Sequence, residues 1–148
     1  ETGAPIASHT EQGTMGLEQV KLLMAFGVDP QHIIVGHMDR NPDFYIHRAL
    51  AETGAYLLYD TPSRVKYFPE THFIDLMRRM VEAGYGKQLL WGSDLARRSY
   101  FVAYGGGPGL TYVPERFVPR LRDEGFDHQT IEDLFVNNPA RAFTFAEK

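Results

Sequence analysis

The chain has 148 residues, 43% of them apolar, with no cysteine and a formal net charge of −4. That suits one globular core, falls short of two ordinary domains, and excludes disulfides and thiolate zinc sites, leaving histidine and carboxylate as the strong metal ligands. The densest positive charge is in the pairs Arg78-Arg79 and Arg97-Arg98, no apolar run nears the roughly 20 residues of a membrane span, and the amino terminus does not read as a signal peptide; no nucleic acid, no membrane and a cytoplasmic location are therefore expected.

Apolar runs of strand length alternate with segments of helical period, which predicts βα units and a parallel sheet. Pro5-Ile6-Ala7 begins the first strand. Leu17, Val20, Leu23, Met24 and Phe26 then fall mostly at three- and four-residue spacing, and Gly27 stops that helix. The second strand is predicted at Ile33 to His37, after which Asn41-Pro42 reads as a helix cap followed by proline at the first helical position. Ile46, Ala49 and Leu50 form the expected buried stripe, and Gly54 the stop. Ala55 to Asp60 is the third strand. A loop from Thr61 to Pro69 leads to a helix carrying Phe73, Ile74, Met77, Met80 and Val81, which stops at Gly84 before the fourth strand, Gln88 to Asp94. Residues 95–113 break the pattern, because Gly105, Gly106, Gly107, Pro108 and Gly109 rule out a regular helix. Tyr100, Phe101, Tyr104 and Tyr112 point to packing or ligand contact there, so the segment reads as a long substrate-side loop. The tail returns to helix, with Phe117, Leu121, Ile131, Leu134 and Phe135 as core candidates and Asn138-Pro139 as cap and start, and is expected to close the bottom or outside of a barrel.

Three polar groups end these strands: His9, His37 and Asp94. In an α/β barrel, chemistry gathers at that edge. A lone histidine at a strand end is more often a satisfied hydrogen bonder, but three such ends favour a divalent ion, which lowers the pKa of its bound water toward about 7. Asp94 is placed to bind metal and to accept the proton of an attacking water; the competing role is a helix cap within Gly92-Ser93-Asp94. Asp39, two residues after His37, is either an acceptor that orients the imidazole or an ordinary loop aspartate. Thr61, Arg64 and Tyr67 could face a substrate, as could Arg97 and Arg98. His32, His47, His72 and His128 are expected at the surface, and Lys21, Lys66 and Lys87 in solvent.

Taken in order, Thr2-Gly3-Ala4-Pro5-Ile6-Ala7-Ser8-His9-Thr10, Gly16-Leu17-Glu18-Gln19, Gly36-His37-Met38-Asp39, Ser93-Asp94 and Asn137-Asn138-Pro139-Ala140-Arg141 resemble the phosphotriesterase family of the amidohydrolase superfamily. Met15-Gly16-Leu17-Glu18-Gln19 and Asp94-Leu95-Ala96-Arg97-Arg98-Ser99 look most like its phosphotriesterase homology proteins. The resemblance covers nearly the whole chain. It implies a binuclear, usually zinc, centre in a (β/α)8 barrel, with His9 and His37 as ligands from strands five and six. Asp94 would be the strand-eight ligand and take the proton of the bridging hydroxide.

Family members also carry a His-x-His pair on strand one and a bridging lysine on strand four, neither of which is found here. The 148 residues, against roughly 250 for a whole barrel, therefore read as a single partial domain, the C-terminal half of a TIM barrel (strands 5–8) with C-terminal helices. The efficient organophosphate hydrolases place a histidine directly after the strand-seven aspartate and an aspartate three residues after the strand-six histidine; here those positions are Thr61 and Arg40. A dedicated phosphotriesterase is thus disfavoured against a carboxylic ester or lactone hydrolase. The expected activity is hydrolysis of an ester-type bond (carboxylic ester, lactone or phosphoester) in a small-molecule substrate by a metal-bound hydroxide, with two zinc ions per complete site once a missing N-terminal half-barrel or a homo-oligomer partner completes it. The competing reading is an inactive half-barrel acting as an assembly module, since open sheet edges invite pairing. A single-metal deaminase of the same superfamily is the third.

Overall fold

Four short strands lie parallel in the order β1 (Ile6–Ser8), β2 (Ile33–Val35), β3 (Tyr56–Tyr59) and β4 (Leu89–Trp91). The structure, a computed structural model, describes residues 2–64 and 66–146. Because neighbouring strands in sequence are neighbours in the sheet, each crossover is short and carries a helix: α1 (Gly16–Ala25), α2 (Phe44–Ala51) and α3 (Glu70–Glu82). Pairing places Ala7 beside Ile34, Ile34 beside Tyr56 and Leu58 beside Leu90. Side chains alternate across a strand, so the sheet has two distinct faces. Ile33, Val35, Leu57, Tyr59 and Leu89 pack on Val20, Leu50, Ile74, Met77 and Met80 of the helices, while Ile34, Tyr56 and Leu90 form a smaller cluster with Ala142. Sequential parallel strands with their crossover helices packed on one face give the layering of consecutive units in a (β/α)8 barrel.

The strands are shorter than the apolar runs predict, ending directly before His9 and Asp60, with one residue intervening before His37 and two before Asp94. Two helices also bury a different stripe from the one expected. In α1 Val20 is buried, but Met24 and Phe26 are 40% and 80% exposed. In α2 His47, Leu50 and Ala51 are buried while Ile46 is exposed. The cap of α2 is Asp43, whose carboxylate accepts from the Tyr45 amide at 2.9 Å; Asn41 instead accepts from the Asp43 amide. The expectation that His47 lies at the surface fails for the same reason. Its Nδ1 lies 2.6 Å from the Tyr59 hydroxyl and its Nε2 2.9 Å from the Asn41 carbonyl, so the ring is fully paired inside. Burial lowers its pKa to about 4. Among the described helices none is long and apolar enough to cross a membrane.

Residues 95–113 hold two single 3₁₀ turns, Arg98–Tyr100 and Val102–Tyr104. Amides of Gly106, Gly107 and Gly109 bond back to the carbonyls of Phe101, Ser99 and Tyr100, and any side chain at Gly106 would collide with the Ser99 carbonyl. The tail runs through a π-helical turn (Val113–Phe117) into α4 (Val118–Asp123), then α5 (His128–Glu132), a second π-helical turn (Asp133–Asn137) and α6 (Asn138–Ala142). Asn138 begins α6 rather than capping it. Its buried amide donates to the carbonyls of Gly86 and Leu89 at 2.8 and 2.7 Å, which ties the tail to the start of β4.

Candidate active site

Parallel strands deliver their C-terminal ends to one edge, and there His9, His37, Asp60 and Asp94 follow β1, β2, β3 and β4 respectively. The sheet ladder runs one step beyond the strands: the Gly36 amide donates to the Ser8 carbonyl at 2.9 Å and the Gly92 amide to the Tyr59 carbonyl at 2.8 Å. A Cβ on Gly36 would stand 2.8 Å from the Ser8 carbonyl oxygen, so glycine is what lets β1 and β2 close just before His37. His37 and Asp94 both lie in the left-handed region, at φ 61° and 42°. Such backbone costs a non-glycine residue on the order of 1–3 kcal/mol and concentrates at functional sites.

His37, Asp60 and Asp94 each bring a potential ligand atom within 4.8 Å of the others. The His37 ring sits edge-on to His9, with centroids 4.5 Å apart. Asp60 Oδ1 lies 2.7 Å from His37 Nδ1, which leaves Nε2 as the ring nitrogen free to bind a metal. A carboxylate behind a ligating imidazole fixes its tautomer and raises its basicity. Burial raises the pKa of Asp60, opposed by the hydrogen bond from His37 and by the charge of Arg40. Imidazole and carboxylate, as His37 and Asp94 offer them with Asp60 behind the ring, are donors that suit zinc and similar divalent ions.

Asp94 Oδ2 accepts from Arg40 Nη2 at 2.8 Å and from Arg64 Nη1 at 2.6 Å. Arg64 also donates to the Asp94 carbonyl. Both guanidinium contacts fall on one carboxylate oxygen, leaving Oδ1 without a donor among the described residues. The arginines are themselves held flat: Arg40 lies 4.5 Å over the Tyr67 ring and Arg64 4.5 Å over the Tyr100 ring, contacts that favour a delocalised cation. Thus Asp94, Arg64 and Tyr67 are brought together. Arg97 is exposed.

Three residues depart from sequence expectation. Asp39 does not orient His37; its Oδ2 accepts from the amide of Thr61 at 2.8 Å and from the Thr61 hydroxyl. Burial, with Asp60 nearby, raises its pKa to about 6. Of the two readings open for Asp39, orienting acceptor or ordinary aspartate, the first is not met, and Asp60 is the carboxylate that pairs with His37. Asp60 itself was overlooked as a site residue, although it ends the third apolar run as Asp94 ends the fourth. Arg40, read only as a missing aspartate, is 6% exposed and reaches Asp94. His9 remains 65% exposed by its side chain.

A hollow of about 570 Å³ lined by Thr2, Ile6, Val28 and His32 lies at the other end of the strands.

A model described as the phosphotriesterase family matches residues 1–143. Phospho-furanose lactonase of Mycoplasmopsis synoviae (strain 53) is 39% identical over 99% of the chain, and phosphotriesterase homology protein of Escherichia coli (strain K12) 34% identical over 97%. The chain spans 43% and 49% of those two proteins. The crystal structure of a lactonase from Listeria monocytogenes superposes with a TM-score of 0.94 at 42% identity, covering 99% of this chain and 46% of that one. Organophosphorus hydrolase from Deinococcus radiodurans gives 0.80 at 26% identity, covering 96% and 46%.

Proposed function

The chain belongs to the phosphotriesterase family, and on that premise we propose that it supplies strands five to eight of a barrel hydrolase, with the substrate a sugar lactone bearing a phosphate. The convergence of His37, Asp60 and Asp94 beside two arginines carries this reading. His9 and His37 would hold divalent metal with Asp94, two zinc ions per complete site, the remaining ligands coming from the half of the barrel that lies outside this chain. Such ions lower the pKa of water and polarise a carbonyl.

Within that frame Asp94 takes the proton of the water that attacks the lactone carbonyl, the ring C–O bond breaks, and the proton passes to the departing ring oxygen, giving the hydroxy acid. Asp60 keeps His37 in the metal-binding tautomer. Arg40 and Arg64, flattened on Tyr67 and Tyr100, suit bidentate capture of a phosphate. Relatives named for phospho-furanose lactonase activity support the anionic substrate. Thr61 and Arg40 weigh against a dedicated organophosphate hydrolase.

The test is hydrolysis of a phosphorylated and an unphosphorylated γ-lactone by the complete protein, with Asp94→Asn alongside. The expected result is preference for the phosphorylated lactone and a loss of at least about 10³-fold in kcat for the variant. Full activity in Asp94→Asn overturns the role of Asp94. A complete protein that binds no divalent metal and opens neither lactone leaves the half-barrel as an assembly module.

A further inference from the structure

Glu70 opens α3, where an acidic residue ordinarily does no more than face the positive end of the helix. Its carboxylate is only 10% exposed, however, and both oxygens are engaged. Oε1 accepts from the Ser63 amide at 2.8 Å and from the Tyr112 hydroxyl at 2.6 Å, and Oε2 accepts from Arg120 Nη1 at 2.9 Å. Three segments distant in sequence meet on this one side chain: the loop after β3, the end of the 95–113 segment, and α4.

Each of the first two contacts leads to the candidate site. Ser63 has φ 72°, a left-handed conformation that a serine holds only with support. It immediately precedes Arg64, whose own amide closes a turn on the Thr61 carbonyl at 3.0 Å. From Tyr112, the amide donates to the Gly109 carbonyl at 3.4 Å and the Gly109 amide to the Tyr100 carbonyl at 2.9 Å. Tyr100 in turn covers the Arg64 guanidinium. The contacts close a ring: Glu70, Ser63, Arg64, Tyr100, Gly109, Tyr112, and back to Glu70.

We propose that Glu70 is a positioning residue that fixes Arg64 and the Tyr100-bearing loop against each other and so sets how firmly the site grips the anionic end of its substrate. Arg120 holds the carboxylate in place from the far side. The Tyr112 hydroxyl, its pKa pushed up to about 12 by burial and by its bond to Glu70, remains a donor throughout the working range. The substrate half of this inference rests on the phosphorylated-lactone reading above, whereas the brace itself does not.

Two measurements on the complete protein test it, using Glu70→Ala, Glu70→Gln and Tyr112→Phe. The first is native-state tryptic cleavage after the exposed Arg97 and Arg98. Opening of the loop sets that rate; a rise of about 10-fold is expected for Glu70→Ala, about 3-fold for Tyr112→Phe, and little change for Glu70→Gln, which keeps an acceptor for Ser63 and Tyr112. The second is the KM for the phosphorylated lactone, expected to rise about 10-fold in Glu70→Ala with kcat nearly unchanged and the KM for the unphosphorylated lactone unmoved. Wild-type cleavage rates in Glu70→Ala and Tyr112→Phe overturn the brace. Equal KM increases for both lactones overturn the positioning role, since general loosening would produce them. Should Glu70→Ala fail to fold, Tyr112→Phe decides alone, because it removes one hydroxyl and no helix end. A wild-type protein indifferent to the phosphate overturns the substrate reading, and the cleavage rates still judge the brace.

Discussion

Asp60 Oδ1 stands 2.7 Å from His37 Nδ1. The two residues follow different strands, 23 residues apart in sequence, and on the proposed reading the pair would fix the imidazole tautomer that binds a metal. Replacing Asp60 with asparagine keeps the shape and removes the charge. Metal affinity of the complete protein is expected to fall about 10- to 100-fold. Competition against a chelating dye measures it, and an unchanged affinity would assign Asp60 a purely structural part.

Arg64 and Arg97 are both candidates for substrate contact; Arg64 bonds Asp94, whereas Arg97 is exposed. Arg64→Ala removes a cation that touches Asp94 and is expected to raise the KM for a phosphorylated lactone by about 10- to 100-fold, the range for a charge-assisted contact worth about 1.5–3 kcal/mol. Arg97→Ala is expected to leave KM within about twofold. Steady-state kinetics of the two variants side by side check this; the reverse order would show that the exposed arginine is the one that meets substrate.

His47 makes stability depend on pH in a defined direction. Burial lowers its pKa from 6.5 to about 4, so the folded state refuses a proton that the unfolded chain accepts. Its contribution is complete above pH 6.5 and is lost as pH falls toward 4, by on the order of 3 kcal/mol. Asp39 titrates in the opposite sense, its buried carboxyl being raised to about 6, and flattens the wild-type curve. The difference between wild type and His47→Gln isolates the histidine. Urea unfolding between pH 4.5 and 7.5 is expected to show the wild type losing stability relative to His47→Gln as pH falls; parallel curves would mean that the ring titrates while folded.

Gly36→Ala puts a methyl group 2.8 Å from the Ser8 carbonyl, a backbone atom with little room to retreat. The expected cost is about 1–3 kcal/mol in unfolding free energy, together with weaker metal binding as β1 shifts away and His9 leaves the His37 ring. Wild-type values of both would mean that the strand ends adjust freely.

The fold was legible where one residue type and one period coincide: apolar runs at Ile33-Ile34-Val35 and Leu89-Leu90-Trp91 became strands, and the polar groups after them met at one edge. What escaped the sequence depended on direction rather than composition. Nothing in Gly36-His37-Met38-Asp39 announces that His37 turns left-handed, so the carboxylate nearest in sequence was given the job that Asp60 performs from the next strand. His47 was hidden because a polar ring looks solvated until Tyr59 and the Asn41 carbonyl satisfy it. Phe26 misled in the other direction, an apolar side chain on a helical stripe that packing leaves mostly exposed. Arg40 was noticed for the residue it replaces, and its reach to Asp94 needed three dimensions.

Asn138 gives the chain an order of assembly. The Gly86 and Leu89 carbonyls at the head of β4 receive their buried donor from a residue 52 and 49 positions downstream. During synthesis at roughly 5–20 residues per second, β4 and the Asp94 edge beyond it wait several seconds for that amide to emerge. The strand that leads to Asp94 is thus fastened from downstream in the chain, through one side-chain amide that serves two carbonyls at once.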